Sequence, residues 1–434
     1  MTQLIQGQSG IEPSLSSDRY SRSSQLLERI ISRYVRGKSL EALDGVRKSA
    51  NPPGPPRNGK PLQAYLHVPF CEELCGYCTF YRERFEKALA HRYFAALREE
   101  IAMYRERGYT FDRIYFGGGT PTVLPEELVR TIALVRSLWN PAVISVETHP
   151  DHLTEPLYAL LEEEGVNRLS VGVQSFQEVV LRGLARNQHI GGDETRERLT
   201  RSIARFKTVN VDMIFSVFGQ TTAMLKKDIL AIRELLPDQV TFYPLMAPAS
   251  DSRPDVPPRK FYDLIVDGLS DLYRISSGWS FSLNGKSHID EYITECEDYS
   301  GLGAGSFGYV GGVFYANTFS ISEYIRQIGE RQFPVIVRKR FLRTERMRYH
   351  FLTRLFGGHV DPKEAVRKFG YLPLLKLWKE LLMMAAAGGM RPTGRLTKRG
   401  RFLSMLMMKE FMSAVSEFRE SCRAISIAND GTRG

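Results

Sequence analysis

Six short apolar runs between residues 64 and 245 constrain the fold more than any other feature. They are AYLHV (64–68), RIYFG (113–117), VISVET (143–148), RLSVGV (168–173), VNVDMIF (209–215) and QVTFYPL (239–245). Helix-length stretches such as ALAHRYFAALREEIAMYRERG and EPLYALLEEEG separate them. A strand followed by a helix, repeated, folds as a parallel sheet with right-handed crossovers. Six units fall short of a closed eight-unit barrel, so the sequence predicts an α/β chain built on an open, partial (β/α)6 barrel. Such sheets place their chemistry on the loops that follow the strand C-terminal ends.

The loop after the first run reads PFCEELCGYC (69–78) and holds Cys71, Cys75 and Cys78, three of the five cysteines in 434 residues. A disulfide framework calls for an even set of thiols in a small secreted chain, which this is not. Three thiolates spaced C-x3-C-x2-C suit three irons of a four-iron, four-sulfur cluster, leaving the fourth iron without a protein ligand. Zinc is the competing reading, with His67 as a fourth ligand. Cys296 and Cys422 stand apart, and each reads as a small buried hydrophobe.

Around this core the chain divides by composition. Residues 1–60 read as an N-terminal extension, with a helix in SSQLLERIISRYV that puts Leu26, Leu27, Ile30, Ile31, Tyr34 and Val35 on one face. NPPGPPRNGKP breaks regular structure and reads as a linker. Residues 61–250 form the barrel, and 251–337 complete it and carry the Gly-rich GLGAGSFGYVGG, expected to be a substrate region. Residues 338–434 are expected to form a mostly helical C-terminal substrate domain. No run of about 18 apolar residues predicts a membrane span, and MTQLIQGQSG shows no export pattern, so a cytoplasmic location is expected. A net charge of +10 draws the chain toward anionic partners.

YLHVPFCEELCGYCTFY resembles the signature of radical S-adenosylmethionine (radical SAM) enzymes, in the subgroup related to oxygen-independent coproporphyrinogen III oxidase. YFGGGTPT, VETHP, GVNRLSVGVQSFQEVVLRGLARNQ and VDMIFSVFGQT extend the resemblance in the same order. It implies a four-iron, four-sulfur cluster on Cys71, Cys75 and Cys78, which also makes them the catalytic centre. It also implies S-adenosylmethionine (SAM) on the open iron. By the same resemblance Tyr65 packs near the sulfonium, where an aromatic face favours a cation. Tyr77 and Phe80 of the cysteine loop, Gly117, Gly118, Gly119, Thr120, Glu147, Gln174, Arg186 and Asp212 are the implied cofactor contacts. The glycines are expected to let backbone approach the methionyl group. SVFGQ departs from the Gly-Leu-Pro-Gly-Gln of relatives, and TFY after Cys78 departs from the porphyrin-oxidising pattern.

SHIDEYITECEDYSGLGAGSFG and MRYHFLTRLFGG are similar to the menaquinone methyltransferase branch. That likeness implies a methyltransferase using two SAM molecules to methylate a quinone ring, with the Met-rich last helix reaching a membrane surface. A low-potential flavodoxin or ferredoxin is the expected reductant. The alternative is a haem-carrying or porphyrin-acting protein, for which His67, His149, His189 and His288 are candidate axial ligands and Tyr243 faces the site. A nucleic-acid modifying enzyme ranks third, because the charge of LTKRGR is no denser than a solvated face requires.

Overall fold

The computed structural model describes residues 22–56, 59, 61–186, 188–246, 258–285, 297–371, 375–391 and 393–431. Cys296 and His288 lie outside them. The six expected strands are all present: β1 (Leu62–Val68), β2 (Phe111–Gly118), β3 (Val143–Thr148), β4 (Arg168–Gln174), β5 (Thr208–Phe215) and β6 (Gln239–Pro244). They pair in parallel in that order. Every residue of β1 is buried, as expected for a parallel strand covered on both faces. The crossovers include α1 (Lys87–Glu106), α2 (Pro125–Trp139), α3 (Glu155–Glu163), α4 (Gly192–Arg205) and α5 (Thr222–Leu235). In α1 the buried stripe Phe94, Leu97, Ile101 and Tyr104 recurs at helical spacing. Full burial of each such side chain contributes about 2 kcal/mol of transfer free energy.

The sheet continues beyond both ends of this core. On one side β7 (Tyr273–Ile275) and β8 (Ser280–Leu283) add antiparallel strands to β6. On the other, β9 (Tyr299–Leu302) pairs in parallel with β1, a seventh parallel strand that no local alternation announces. Then β10 (Phe307–Val310), β11 (Val313–Asn317) and β12 (Val335–Arg340) follow in antiparallel order. The result is an α/β fold with a mixed sheet and a helical C-terminal region.

The C-terminal region contains α6 (Arg343–Phe356), α7 (Pro362–Phe369), α8 (Trp378–Ala386) and the long α9 (Lys398–Gly431). The expected N-terminal helix spans Arg22–Leu43 and lies along α9. Its apolar stripe is only partly used: Ile31 and Val35 are buried, whereas Leu26 and Ile30 are half-exposed. The expectation that the last helix lies on a membrane is corrected here. Its apolar face, with Phe402, Leu403, Met405, Met408, Val415 and Phe418, is buried in the protein core and is not free to meet lipid. Cys422 on the same helix is fully buried, as its reading as a small hydrophobe requires. Among the described residues no helix is long and apolar enough to cross a membrane.

Candidate active site at the strand ends

Each core strand delivers one part of a single cavity at its C-terminal end. The loop after β1 supplies Cys71, Cys75, Tyr77, Cys78 and Phe80; Gly118, Gly119 and Thr120 follow β2. Glu147 and His149 come from the end of β3, Gln174 from β4, Asp212 from β5 and Tyr243 from β6. Tyr65 and Arg186 close the walls. Of the sequence-predicted contacts only Gly117 stands behind the lining, where it backs Glu147 and Tyr115.

The cysteine loop is held by arginine. Arg82 Nη2 donates to the carbonyl oxygens of Cys75 (2.6 Å) and Cys78 (2.9 Å). Arg186 Nη1 donates to the Tyr77 hydroxyl at 3.2 Å and reaches the Cys75 Sγ at 4.0 Å, while Nη2 donates to the Gly172 carbonyl. Burial pushes the Cys71 thiol up to about 11 and raises that of Cys78 as well. Thr120 Oγ1 approaches Cys71 Sγ at 3.7 Å. Among the described residues Arg82 Nε and Nη1 and Arg186 Nε are buried without a hydrogen-bond partner. Three free, partly buried thiols beside such cationic donors fit an anionic iron–sulfur group together with a carboxylate ligand.

The zinc reading does not survive. His67 Nε2 lies 2.8 Å from the Tyr81 carbonyl and must donate to it, so Nδ1 accepts from the Tyr65 hydroxyl at 3.0 Å. Both nitrogens are used within the protein, and burial holds the ring neutral, down to about 4. No three described His, Cys, Asp or Glu side chains are placed to hold a single metal ion.

The glycine run is also required by the packing of the protein on itself. A Cβ on Gly118, whose φ is +117°, would meet the His67 ring at 2.5 Å, and one on Gly119 would meet the Phe70 carbonyl at 2.4 Å. These glycines let protein pack on protein, which brings the β2 turn against the cysteine loop. The Gly118 N–H then donates to Glu147 Oε2 (3.0 Å), and the Tyr115 hydroxyl donates to Oε1 (2.8 Å). Asp212 accepts from the Ser170 hydroxyl and the Asn210 amide, both at 2.8 Å. Gln174 adopts φ +69° at the point where β4 and β5 lose register. His149 Nδ1 accepts from the Asp151 N–H, and burial, with Arg186 nearby, holds its ring down to about 2. His189 also lines the cavity.

Sequence reasoning missed Tyr115, although its place two residues before Gly117 on an alternating strand marks it. It also missed a second chamber that shares Tyr65, Phe80 and Met412 with the first. Its walls are aromatic: Tyr309 packs on Phe341 (5.5 Å) and Tyr349 (4.8 Å), Tyr349 on Phe411 (6.0 Å), and Phe314 on Phe307 (5.4 Å). At the junction Arg419, from α9, sits between the rings of Phe80 (5.4 Å) and Phe307 (5.5 Å) and donates to the Thr79 carbonyl. At the far end the Tyr34 hydroxyl (2.6 Å) and Arg348 Nε (3.0 Å) both donate to Glu380. Gly305, Ser306 and Phe307 of the Gly-rich stretch also face this chamber.

Residues 65–232 match the Radical SAM superfamily. The chain is 30% identical over 294 residues to the heme chaperone HemW of Lactococcus lactis, covering 62% of this chain and 74% of that one. It is 25% identical over 364 residues to the anaerobilin synthase of Escherichia coli O157:H7, covering 78% and 81%. Its fold is similar to that of coproporphyrinogen III oxidase (HemN) from Escherichia coli, with a TM-score of 0.67 at 21% identity over 86% of this chain and 92% of that one. Proteins named for haem and coproporphyrinogen overturn the expectation of a quinone C-methyltransferase, which rested on loop and helix segments outside the barrel. With the three thiols, the strand-end cavity and these matches together, the chain belongs to the radical SAM superfamily and has HemW-like and HemN-like homologues.

Proposed function

We propose that this chain is a radical SAM enzyme acting on a tetrapyrrole macrocycle held in the aromatic chamber. The observation that carries the reading is that the chamber adjoins the cysteine cavity, with Tyr65, Phe80 and Met412 lining both. A flat macrocycle with carboxylate side chains needs stacked aromatic walls and cations at its edges. The chamber offers Phe307, Tyr309 and Phe411 for the first, and Lys38, Arg348 and Arg419 for the second. Relatives named for haem and coproporphyrinogen support the same ligand class.

Cys71, Cys75 and Cys78 would hold the cluster, and Glu147, Arg186 and Asp212 present the polar edge that would orient SAM. When bound, the cluster supplies the electron that splits the sulfonium and frees an adenosyl radical. Tyr115 and the Gly118 N–H fix the Glu147 carboxylate in one rotamer before any ligand arrives, so little ordering cost remains on binding. Arg186 holds Tyr77 and the Gly172 carbonyl, tying the cysteine loop to β4. One SAM suffices for this reading; the second belonged to the methyl-transfer scheme. A low-potential flavodoxin or ferredoxin is the proposed electron source.

A haem carrier is the second reading, favoured by the HemW likeness. His67 is the one described histidine that lines the chamber, and both its nitrogens are engaged. Axial ligation of haem iron there would cost two buried hydrogen bonds. The test is an anaerobic absorbance titration with a metal-free porphyrin and with haem. Porphyrin binding that Phe307→Ala and Phe411→Ala weaken about tenfold or more supports the chamber. Binding that neither substitution alters would refute it.

A further inference from the structure

The charge of the chain is not evenly spread. Residues 361–401 carry ten Lys and Arg against three Asp and Glu, a local balance of +7 within a whole-chain total of +10. Within the same segment four large apolar side chains face solvent: Tyr371 (79% exposed), Leu375 (71%), Trp378 (53%) and Leu382 (56%). Trp378 and Leu382 lie one turn apart on α8, with Lys379 over the Trp378 ring at 5.7 Å. Six exposed cations of the segment, Lys363, Arg367, Lys376, Lys379, Arg391 and Arg395, form no ion pair with any described acid. On the barrel, by contrast, Arg196, Arg198, Arg201 and Arg205 each meet a glutamate.

Exposed apolar side chains in a segment rich in unpaired cations, one of them over the Trp378 ring, are what an anionic bilayer surface binds: the rings and aliphatic chains enter the headgroup layer while lysine and arginine face the lipid phosphates. An amphipathic tryptophan is at home at that depth. We propose that the α8 face centred on Trp378 docks this protein onto a membrane carrying anionic lipid. The occupant is chosen by charge complementarity joined to protruding apolar side chains; a purely soluble acidic partner would not call for an exposed Trp and two exposed Leu beside the cations. Docking here would also have a use. The opposite face of α8 presents Glu380, which lines the aromatic chamber with Tyr34 and Arg348. One helix thus has its outer face toward the proposed membrane and its inner face on the chamber where an apolar ligand would bind. The docking proposal stands independently of the chemistry proposed for that chamber.

The experiment is flotation of the full-length protein with vesicles of phosphatidylcholine alone or mixed with phosphatidylglycerol, at low and high salt. Trp139 is half-buried and donates to the Tyr109 carbonyl, and Trp279 is buried, so a change in tryptophan emission on vesicle contact reports Trp378. The expected result is flotation with anionic vesicles only, reduced by salt, with a blue-shifted emission that Trp378→Phe abolishes. Lys376→Glu with Lys379→Glu weakens partitioning about tenfold or more, and Trp378→Ser with Leu382→Ser does the same, without loss of the cluster's visible absorption. No binding to anionic vesicles at low salt, or binding that both double substitutions leave unchanged, would overturn the proposal. Capture of a soluble acidic protein in place of vesicles would overturn it too.

Discussion

Replacing Gly118 by alanine tests how the β2 turn is seated on the cysteine loop. The residue has φ +117°, which an L side chain adopts at a cost of about 1–2 kcal/mol. Its new Cβ would lie 2.5 Å from Cε1 and Nδ1 of His67. That ring cannot turn aside freely, because the Tyr65 hydroxyl and the Tyr81 carbonyl hold its two nitrogens and it is 2% exposed. Moving it breaks two buried hydrogen bonds, each contributing about 1 kcal/mol. The expected loss of stability is about 3–4 kcal/mol, read from urea unfolding followed by circular dichroism. A double-mutant cycle with His67→Ala separates the two parts. With the imidazole gone, the alanine keeps its backbone strain but loses the collision, so the pair couples by about 2 kcal/mol. A loss under about 1 kcal/mol for Gly118→Ala, or no coupling to His67, would refute the packing argument.

Three further outcomes are expected. Alanine at Cys71, Cys75 or Cys78 removes the brown cluster absorption after anaerobic reconstitution; a variant that keeps the full spectrum would remove that residue from the ligand set. Tyr115→Phe takes one donor from Glu147 and weakens SAM binding about fivefold, for the loss of about 1 kcal/mol, with the cluster spectrum unchanged; unchanged affinity by calorimetry would show that Glu147 needs no such support. Stability should also fall on acidification. Burial lowers His67 from its ordinary value near 6.5 to about 4, so the unfolded chain takes up a proton there that the folded chain does not. That contribution is complete above pH 6.5 and is lost as pH falls toward 4, about 2 kcal/mol of it by pH 5. His149, held down to about 2, acts with the same sign. Replacing both histidines should flatten the profile, and an unflattened one would contradict the assignment.

The parts of the molecule that sequence reading recovers are those written locally. Six strands appear as short apolar runs because parallel strands are buried on both faces, and the cysteine loop is visible because thiols are rare in this chain. The cavity residues Glu147, Gln174 and Asp212 were implied by the family resemblance, and the convergence of parallel strands at their C-terminal ends is why they meet in one cavity. What was hidden depends on distant contacts. Strand β9 is four residues long and becomes parallel only by pairing with β1 across more than two hundred residues of chain. The aromatic chamber needs the N-terminal helix, β10 and α9 to meet, and no spacing announces that meeting. The methionines of the last helix are ambiguous for the same reason: Met407, Met408 and Met412 look alike in sequence whether they fill a core or line a pocket. Met412 lines both chambers, and Met408 faces the cysteine cavity.

The most direct test joins the two chambers in one reaction. Reconstituted protein, dithionite and SAM are incubated without oxygen, with and without a tetrapyrrole, and 5′-deoxyadenosine is quantified by mass spectrometry. The expected result is deoxyadenosine formation stimulated by the tetrapyrrole, lost in Cys75→Ala and sharply reduced in Phe307→Ala, together with a changed mass for the macrocycle. Deoxyadenosine made at the same rate without the tetrapyrrole, and a macrocycle recovered unaltered though bound, would contradict the enzyme reading and leave a carrier in its place.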